Sequence, residues 1–206
     1  MRTFRSDSQW HERIHFFQSV TSTNDLLLEW AEGGSPEGTS VIAKEQTSGR
    51  GQFHRPWSSL FGMGLWMSVL LRLPIENEII KSLSQLGVVS LYDALLKVKI
   101  PPASLKIKPP NDLLLDGKKV AGILVETRRG SAPFAVIGIG LNIHQTHEDF
   151  PLELRNKATS LVIAGMPPFD PKQLAPIVID SLYLRYQELH SNPGALDEVW
   201  RKASFL

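Results

Sequence analysis

The sequence predicts an α+β fold, a mixed β-sheet flanked by helices. Three observations predict it. Short apolar runs of strand length recur along the whole chain. They are interrupted by two long segments whose apolar residues recur at three and four spacing, the helical period. An Asp116-Gly117 pair between two apolar runs marks a tight hairpin.

Taken in order, "RIHFFQSV" (13–20) reads as a short aromatic strand, and "STNDLLLEWAEGG" (22–34) as a helix with a Ser or Thr cap and a glycine stop. "GTSVIAKEQ" (38–46) is a strand, and the polar loop "EQTSGRGQFHRPWSS" (45–59) follows it. "GLWMSVLLRL" (64–73) is a mostly buried strand ended by Pro74. The periodicity of "ENEIIKSLSQLGVVSLYDALLKV" (76–98) predicts a long helix with one face on the sheet. "LKIK", "PPNDLLL" and "KKVAGILVETRR", joined through the Asp-Gly turn, form a meander, and "APFAVIGIGLNIH" (132–144) is a further buried strand. After the Pro-rich break "GMPPFDP", the segment 171–190 is a second amphipathic helix with Pro176 in its first turns. We find no repeats, heptads or low-complexity tracts.

A chain of 206 residues suits one domain with a real core, and residues 1–206 are expected to form a single unit. The net charge of +1 argues against a nucleic-acid surface, so any electropositive site must be local. No cysteine is present, which excludes a disulfide framework and a thiolate metal site and is consistent with a cytoplasmic protein. No uncharged apolar stretch reaches the roughly 18 residues of a membrane span. The spacings of His11 and His15, or of His144 and His147, suit a metal only on a helix, and these read as ordinary surface histidines.

Three clusters could carry chemistry. In the loop, Gly49 and Gly51 let backbone N–H groups approach a ligand, Arg50 and Arg55 offer forked donors for phosphate or carboxylate, and Trp57 offers a flat surface. Taken alone, the same residues make a solvated surface turn. In the meander, Asn111 and Asp112 form a polar corner among Lys106, Lys108, Lys118 and Lys119, suited to a hard cation with phosphates; the ordinary reading is a turn with solvated lysines. Gly122 in that apolar run marks a close approach. In "VIGIGLNIH", Gly138 and Gly140 share one face at strand period and leave room there, with Asn142 beyond; a helix packed on the glycines explains them equally well. No nucleophile elbow or Walker loop is present.

In this order the clusters resemble the catalytic domain of biotin protein ligases. The pieces are "STN" (22–24), "EQTSGRGQFHRPWSS", "KPPND" (108–112), "GKKVAGILVE" (117–126), "GIGLN" (138–142) and "ATSL" (158–161). The resemblance implies a class II aminoacyl-tRNA synthetase-like fold. It implies activation of biotin by ATP with Mg2+ to biotinyl-5'-AMP, then transfer to a lysine of a biotin carboxyl carrier domain. It places Ser22, Thr23, Asn24, Gln46, Gly49, Arg50, Lys119, Gly122 and Gly138 around biotin. Gly51, Gln52, Arg55, Trp57, Lys108, Asn111 and Asn142 fall on the nucleotide side. Lys119, Arg50 and Asp112 take the catalytic roles, Asp112 also holding Mg2+. The loop is expected to close over the ligand and to be mobile without it, having little packing of its own.

The chain departs from the family where Gln52 stands for an arginine, His54 for a glycine and Pro109 for a tryptophan. The resemblance also implies that a DNA-binding domain before the catalytic domain and a small β-barrel after it are missing, and it is compatible with either a homodimer or a monomer. A lipoate ligase of the same fold, or a catalytically impaired binder of biotin or its adenylate, are the alternatives. The octanoyl transferases of that fold use a cysteine, which this chain lacks. Gln52→Arg is expected to slow release of biotinyl-AMP by adding a charged hydrogen bond; an unchanged or faster off-rate would count against it.

Overall fold

The computed structural model describes residues 9–75 and 77–204. Glu76, which the periodicity placed in the first long helix, lies outside them. The strands are β1 (Ile14–Phe17), β2 (Ser40–Ala43), β3 (Gly64–Leu71), β4 (Leu105–Lys108), β5 (Asp112–Leu115), β6 (Lys118–Arg128) and β7 (Phe134–Asn142). The helices are α1 (Thr23–Glu32), α2 (Asn77–Lys97), α3 (Pro171–Ser191) and α4 (Pro193–Ala203). One seven-stranded sheet runs in the order β1-β2-β3-β7-β6-β5-β4. It is mixed because α1 carries the chain across between β1 and β2, which pair in parallel, whereas every other neighbour is antiparallel.

Strand alternation divides the sheet into two unlike faces. On β7, Ala135, Ile137, Ile139 and Leu141 point to one face and join the large core with residues of α2 and α3 such as Leu83, Leu91, Val178 and Leu182. Phe134 and Val136 point to the other face and meet Leu27, Leu28 and Ala31 of α1, in a smaller cluster with Val41 and Leu70. The short α1 covers only part of this second face. Beyond its N-terminus the same row continues as Gly138, Gly140 and Asn142.

Turn chemistry sets the meander. Asp116 and Gly117 both take positive φ, 49° and 78°, which a two-residue hairpin turn of the right twist requires. The β5/β6 register is irregular: Asp112 lies opposite Gly122 and Leu113 opposite Ala121, but Leu114 lies opposite Lys119, so Val120 is an extra residue. A regular strand would send Lys119 and Gly122, three apart, to opposite faces. The bulge brings both to the glycine face and turns Val120 and Ala121 into the large core.

The segment after residue 192, without an assignment from the sequence, is a helix. In α4, Leu196 and Ala203 are buried and Val199 and Trp200 pack beside them, the helical spacing. Among the described residues no helix is long and apolar enough to cross a membrane. Helix α2 approaches the sheet closely at Gly87, where a Cβ would stand 2.8 Å from Ile123 Cγ2 and 3.0 Å from Ile137 Cγ2. Gly87→Ala gains about 1 kcal/mol of helix propensity but overpacks two β-branched side chains at about 1–3 kcal/mol. We expect a net loss near 1 kcal/mol and a Tm lower by about 2–4 °C; a raised Tm in a thermal melt would refute this packing.

Candidate active site

The floor of the site is the glycine row on the face that α1 leaves open. Gly140 is opposite Gly122 on β6, and Gly138 is opposite Ser68 on β3. Side chains from elsewhere lie directly on these glycines. A Cβ on Gly140 would be 2.6 Å from Trp57 Nε1, and one on Gly122 would be 3.2 Å from the same indole. A Cβ on Gly138 would collide with the Asn24 amide. The indole Nε1 is buried with no hydrogen-bond partner, a donor left open over the glycine floor.

The wall is built from the N-terminus of α1. Ser22 is its N-cap, with Oγ accepting from Asp25 N at 3.4 Å. Thr23 donates from N (2.8 Å) and Oγ1 (3.0 Å) to Gln46 Oε1, and Gln46 Nε2 donates to Ser59 Oγ at 2.8 Å. The buried Ser68 Oγ stands 2.7 Å from Thr23 Oγ1 and 2.5 Å from Asn24 Oδ1. Asn24 Nδ2 donates to Glu126 Oε2 at 2.7 Å. These partly buried hydroxyls and amides make a fixed array of neutral donors and acceptors.

Two cations stand at this array, each held by resident carboxylates. Arg50 donates from Nη1 (2.7 Å) and Nη2 (2.5 Å) to the two oxygens of Asp25, and from Nη2 to Glu126 at 2.8 and 3.0 Å. The bonds to Asp25 first, then those to Glu126, hold its guanidinium above the ordinary arginine value against the opposing effect of burial. Lys119 Nζ lies 2.6 Å from Asp112 Oδ1 and 5.2 Å from the centre of the Trp57 ring. Its backbone is clamped: Lys119 N donates to Lys157 O and Thr159 N to Lys119 O, both at 2.8 Å.

The structure therefore gathers Ser22, Thr23, Asn24, Gln46, Gly49, Arg50, Trp57, Asp112, Lys119, Gly122 and Gly138 into one place. Gly49 is needed sterically, since a Cβ there would be 2.7 Å from both Ser59 Oγ and Trp57 O. Gly51, Gln52 and Arg55 form the loop tip, where Gly51 N donates to Arg55 O at 2.8 Å and Arg55 lies over the Phe53 ring. Phe53 and His54 both take left-handed φ near 58°, so the histidine occupies a conformation that favours glycine. Lys108 is exposed, opposite Asp112 in register.

Several expectations change. The loop has packing of its own: it folds into a hairpin with Gln46 N on Ser59 O and Trp57 N on Gly49 O, and its indole covers the floor. Asn111 and Asn142 also bond within the protein. Asn111 Nδ2 donates to Ile123 O at 2.8 Å, and Asn142 donates to Thr159 O and accepts from Gln145, each at 3.0 Å. The histidines are not all plain surface residues, for His11 is paired with Asp180, His15 packs edge-on to Trp30, and His144 Nδ1 bonds with Gly62 O. No group of three metal-ligating side chains occurs among the described residues. Asp25, Ser59, Ser68 and Glu126 were missed. The available signals were the Ser22-x-x-Asp25 spacing and a carboxylate an even number of residues after Gly122 in an apolar strand.

Residues 16–143 match the model of the biotin/lipoate A/B protein ligase family. The chain is 40% identical over 144 residues to the bifunctional ligase/repressor BirA of Bacillus spizizenii, covering 69% of this chain and 44% of that protein, so it spans less than half of that relative's length. It is 33% identical over 190 residues to a biotin–(acetyl-CoA carboxylase) ligase of Mycobacterium tuberculosis, covering 90% of this chain and 68% of that protein. The biotin protein ligase of Aquifex aeolicus in complex with biotin and ATP superposes with a TM-score of 0.74 at 30% identity, over 88% of this chain and 73% of that one.

Gly140→Ala tests the floor. Its methyl group would force the Trp57 indole off the sheet, at about 1–3 kcal/mol of stability, and should shift the Trp57 emission to the red. The shift is read against Trp57→Phe, because the chain has five tryptophans; an unshifted spectrum would refute the contact.

Proposed function

Because this chain belongs to the biotin/lipoate A/B protein ligase family, we propose that it is an ATP-dependent biotin protein ligase acting on a carboxyl carrier domain. The observation that carries this reading is the junction of a neutral polar wall, a glycine floor covered by the Trp57 indole, and two positioned cations. A ureido ring has matched donors and acceptors to meet the Thr23, Gln46 and Asn24 array. The carboxylate then points to Arg50 and Lys119. The relatives from Mycobacterium tuberculosis and Aquifex aeolicus are named as biotin ligases, which favours biotin over lipoate as substrate.

In the first step a biotin carboxylate oxygen bonds to the α-phosphorus of ATP, and the bond from that phosphorus to pyrophosphate breaks. Lys119 lies where a point charge offsets the negative charge that develops on the α-phosphate oxygens. Arg50 orients the attacking carboxylate, and the Trp57 ring and loop tip keep water from the mixed anhydride. In the second step the neutral amine of the acceptor lysine bonds to the acyl carbon, AMP leaves with the C–O bond pair, and the amine proton passes to solvent.

Asp112 presents one carboxylate, with one oxygen on Lys119, and among the described residues it belongs to no group of three metal-ligating side chains. That donor set suits Mg2+ carried largely by phosphates and water rather than a resident metal centre. Asp112 would hold the ion, which supplies charge neutralisation at the phosphates when bound. A catalytically silent binder has no use for the Lys119–Asp112 pair, which weighs against that alternative.

Labelled biotin with ATP, Mg2+ and a carboxyl carrier domain should yield a labelled lysine. No transfer and no pyrophosphate would sink this reading, and label on a lipoyl domain instead would favour lipoate. Lys119→Ala should slow adenylate formation by about 100-fold or more, while biotin affinity falls by less than about tenfold. Equal losses in both would refute its role at the transition state.

A further inference from the structure

Arg50 faces two carboxylates that differ in how firmly they are held. Asp25 takes both ends of the guanidinium fork, the bidentate geometry that a substrate carboxylate would use. It projects from the first turn of α1 with its side chain 47% exposed, and among the described residues its carboxylate accepts from Arg50 alone. Glu126 comes from β6, is 25% exposed, and accepts from Asn24 as well as from Arg50. Withdrawing Glu126 would strand the Asn24 amide, whereas Asp25 can turn into water and be solvated there.

We propose that Asp25 is an affinity- and specificity-determining residue that occupies the Arg50 fork until a substrate carboxylate displaces it, and that Glu126 is the positioning residue that keeps Arg50 in the pocket meanwhile. The proposal rests on the biotin ligase reading. It gives the site a threshold. One guanidinium between two carboxylates leaves an excess of negative charge, so an anion is opposed unless its other groups are also bound by the Thr23–Gln46 wall. A small carboxylate or free phosphate lacks those groups, and biotin has them.

Asp25 also has an ordinary explanation, since it is the third residue after the N-cap and an acid there suits a helix N-terminus. The two are separated by titrating the full chain calorimetrically with biotin and with the neutral primary alcohol made by reducing its carboxyl group. Asp25→Asn should tighten biotin by about threefold to fivefold, the scale of a partly exposed ion pair, and leave the alcohol unchanged. Glu126→Ala should weaken biotin by about tenfold, an effect of opposite sign, with Glu126→Asp intermediate. Equal effects of Asp25→Asn on both ligands, no effect on biotin, or the same sign for Asp25→Asn and Glu126→Ala would each overturn the proposal. A parent chain that prefers biotin to the alcohol but transfers no label would count against the ligase reading alone.

Discussion

The site depends on one irregularity, the extra residue at Val120. Without it, strand alternation would carry the Lys119 ammonium into the core beneath α2, where an unpaired charge is strongly disfavoured. With it, Lys119 stands beside Gly122 and Asp112, and Val120 and Ala121 supply the apolar surface that α2 needs. The irregularity is held from both sides. Asn111 brackets Ile123 with a side-chain and a backbone bond, and residues 157–159 bracket Lys119 with two backbone bonds at an isolated bridge. Two motifs distant in sequence, "KPPND" and "ATSL", thus act on the same lysine.

A second constraint is economy of side chains on one face. The sheet is packed conventionally where α2, α3 and α4 cover it, and on the opposite face only as far as α1 reaches. Past that point the glycines of β6 and β7 leave the space to Trp57 and Asn24, which come from the loop and from α1 rather than from the sheet. Floor and cover are therefore supplied by different chain segments. Catalytic positioning favours this arrangement, because sheet residues hold geometry more tightly than loop residues.

Much of this was legible in the residues themselves. Asp116-Gly117 required its turn, the alternation of Gly138 and Gly140 with isoleucines gave a bare face, and the spacing within 76–98 gave a helix on the sheet. The bulge was not legible, because "KKVAGILVE" alternates adequately in either register until its partner strand is known. Asn111 and Asn142 carry a structural duty that the motifs do not announce, each donating to a backbone carbonyl distant in sequence. Asp25 and Glu126 could not be paired from sequence, since only the closed sheet brings α1, the loop and β6 to one guanidinium. Helix α4 carried its apolar period within a single short segment, too brief to stand out from the chain end.

The join between β3 and β7 has a consequence for how the molecule is assembled. Strands β4 to β7 are sequential hairpin neighbours and pair through local turns, whereas β3 meets β7 only after the whole of α2 and the meander have been laid down between them. Such non-local pairing closes late, because the entropy of the intervening loop must first be overcome. The pocket straddles this seam, with Ser68 on one side and Gly138 on the other. A ligand that binds the site binds the finished sheet and draws the folding equilibrium toward it by mass action.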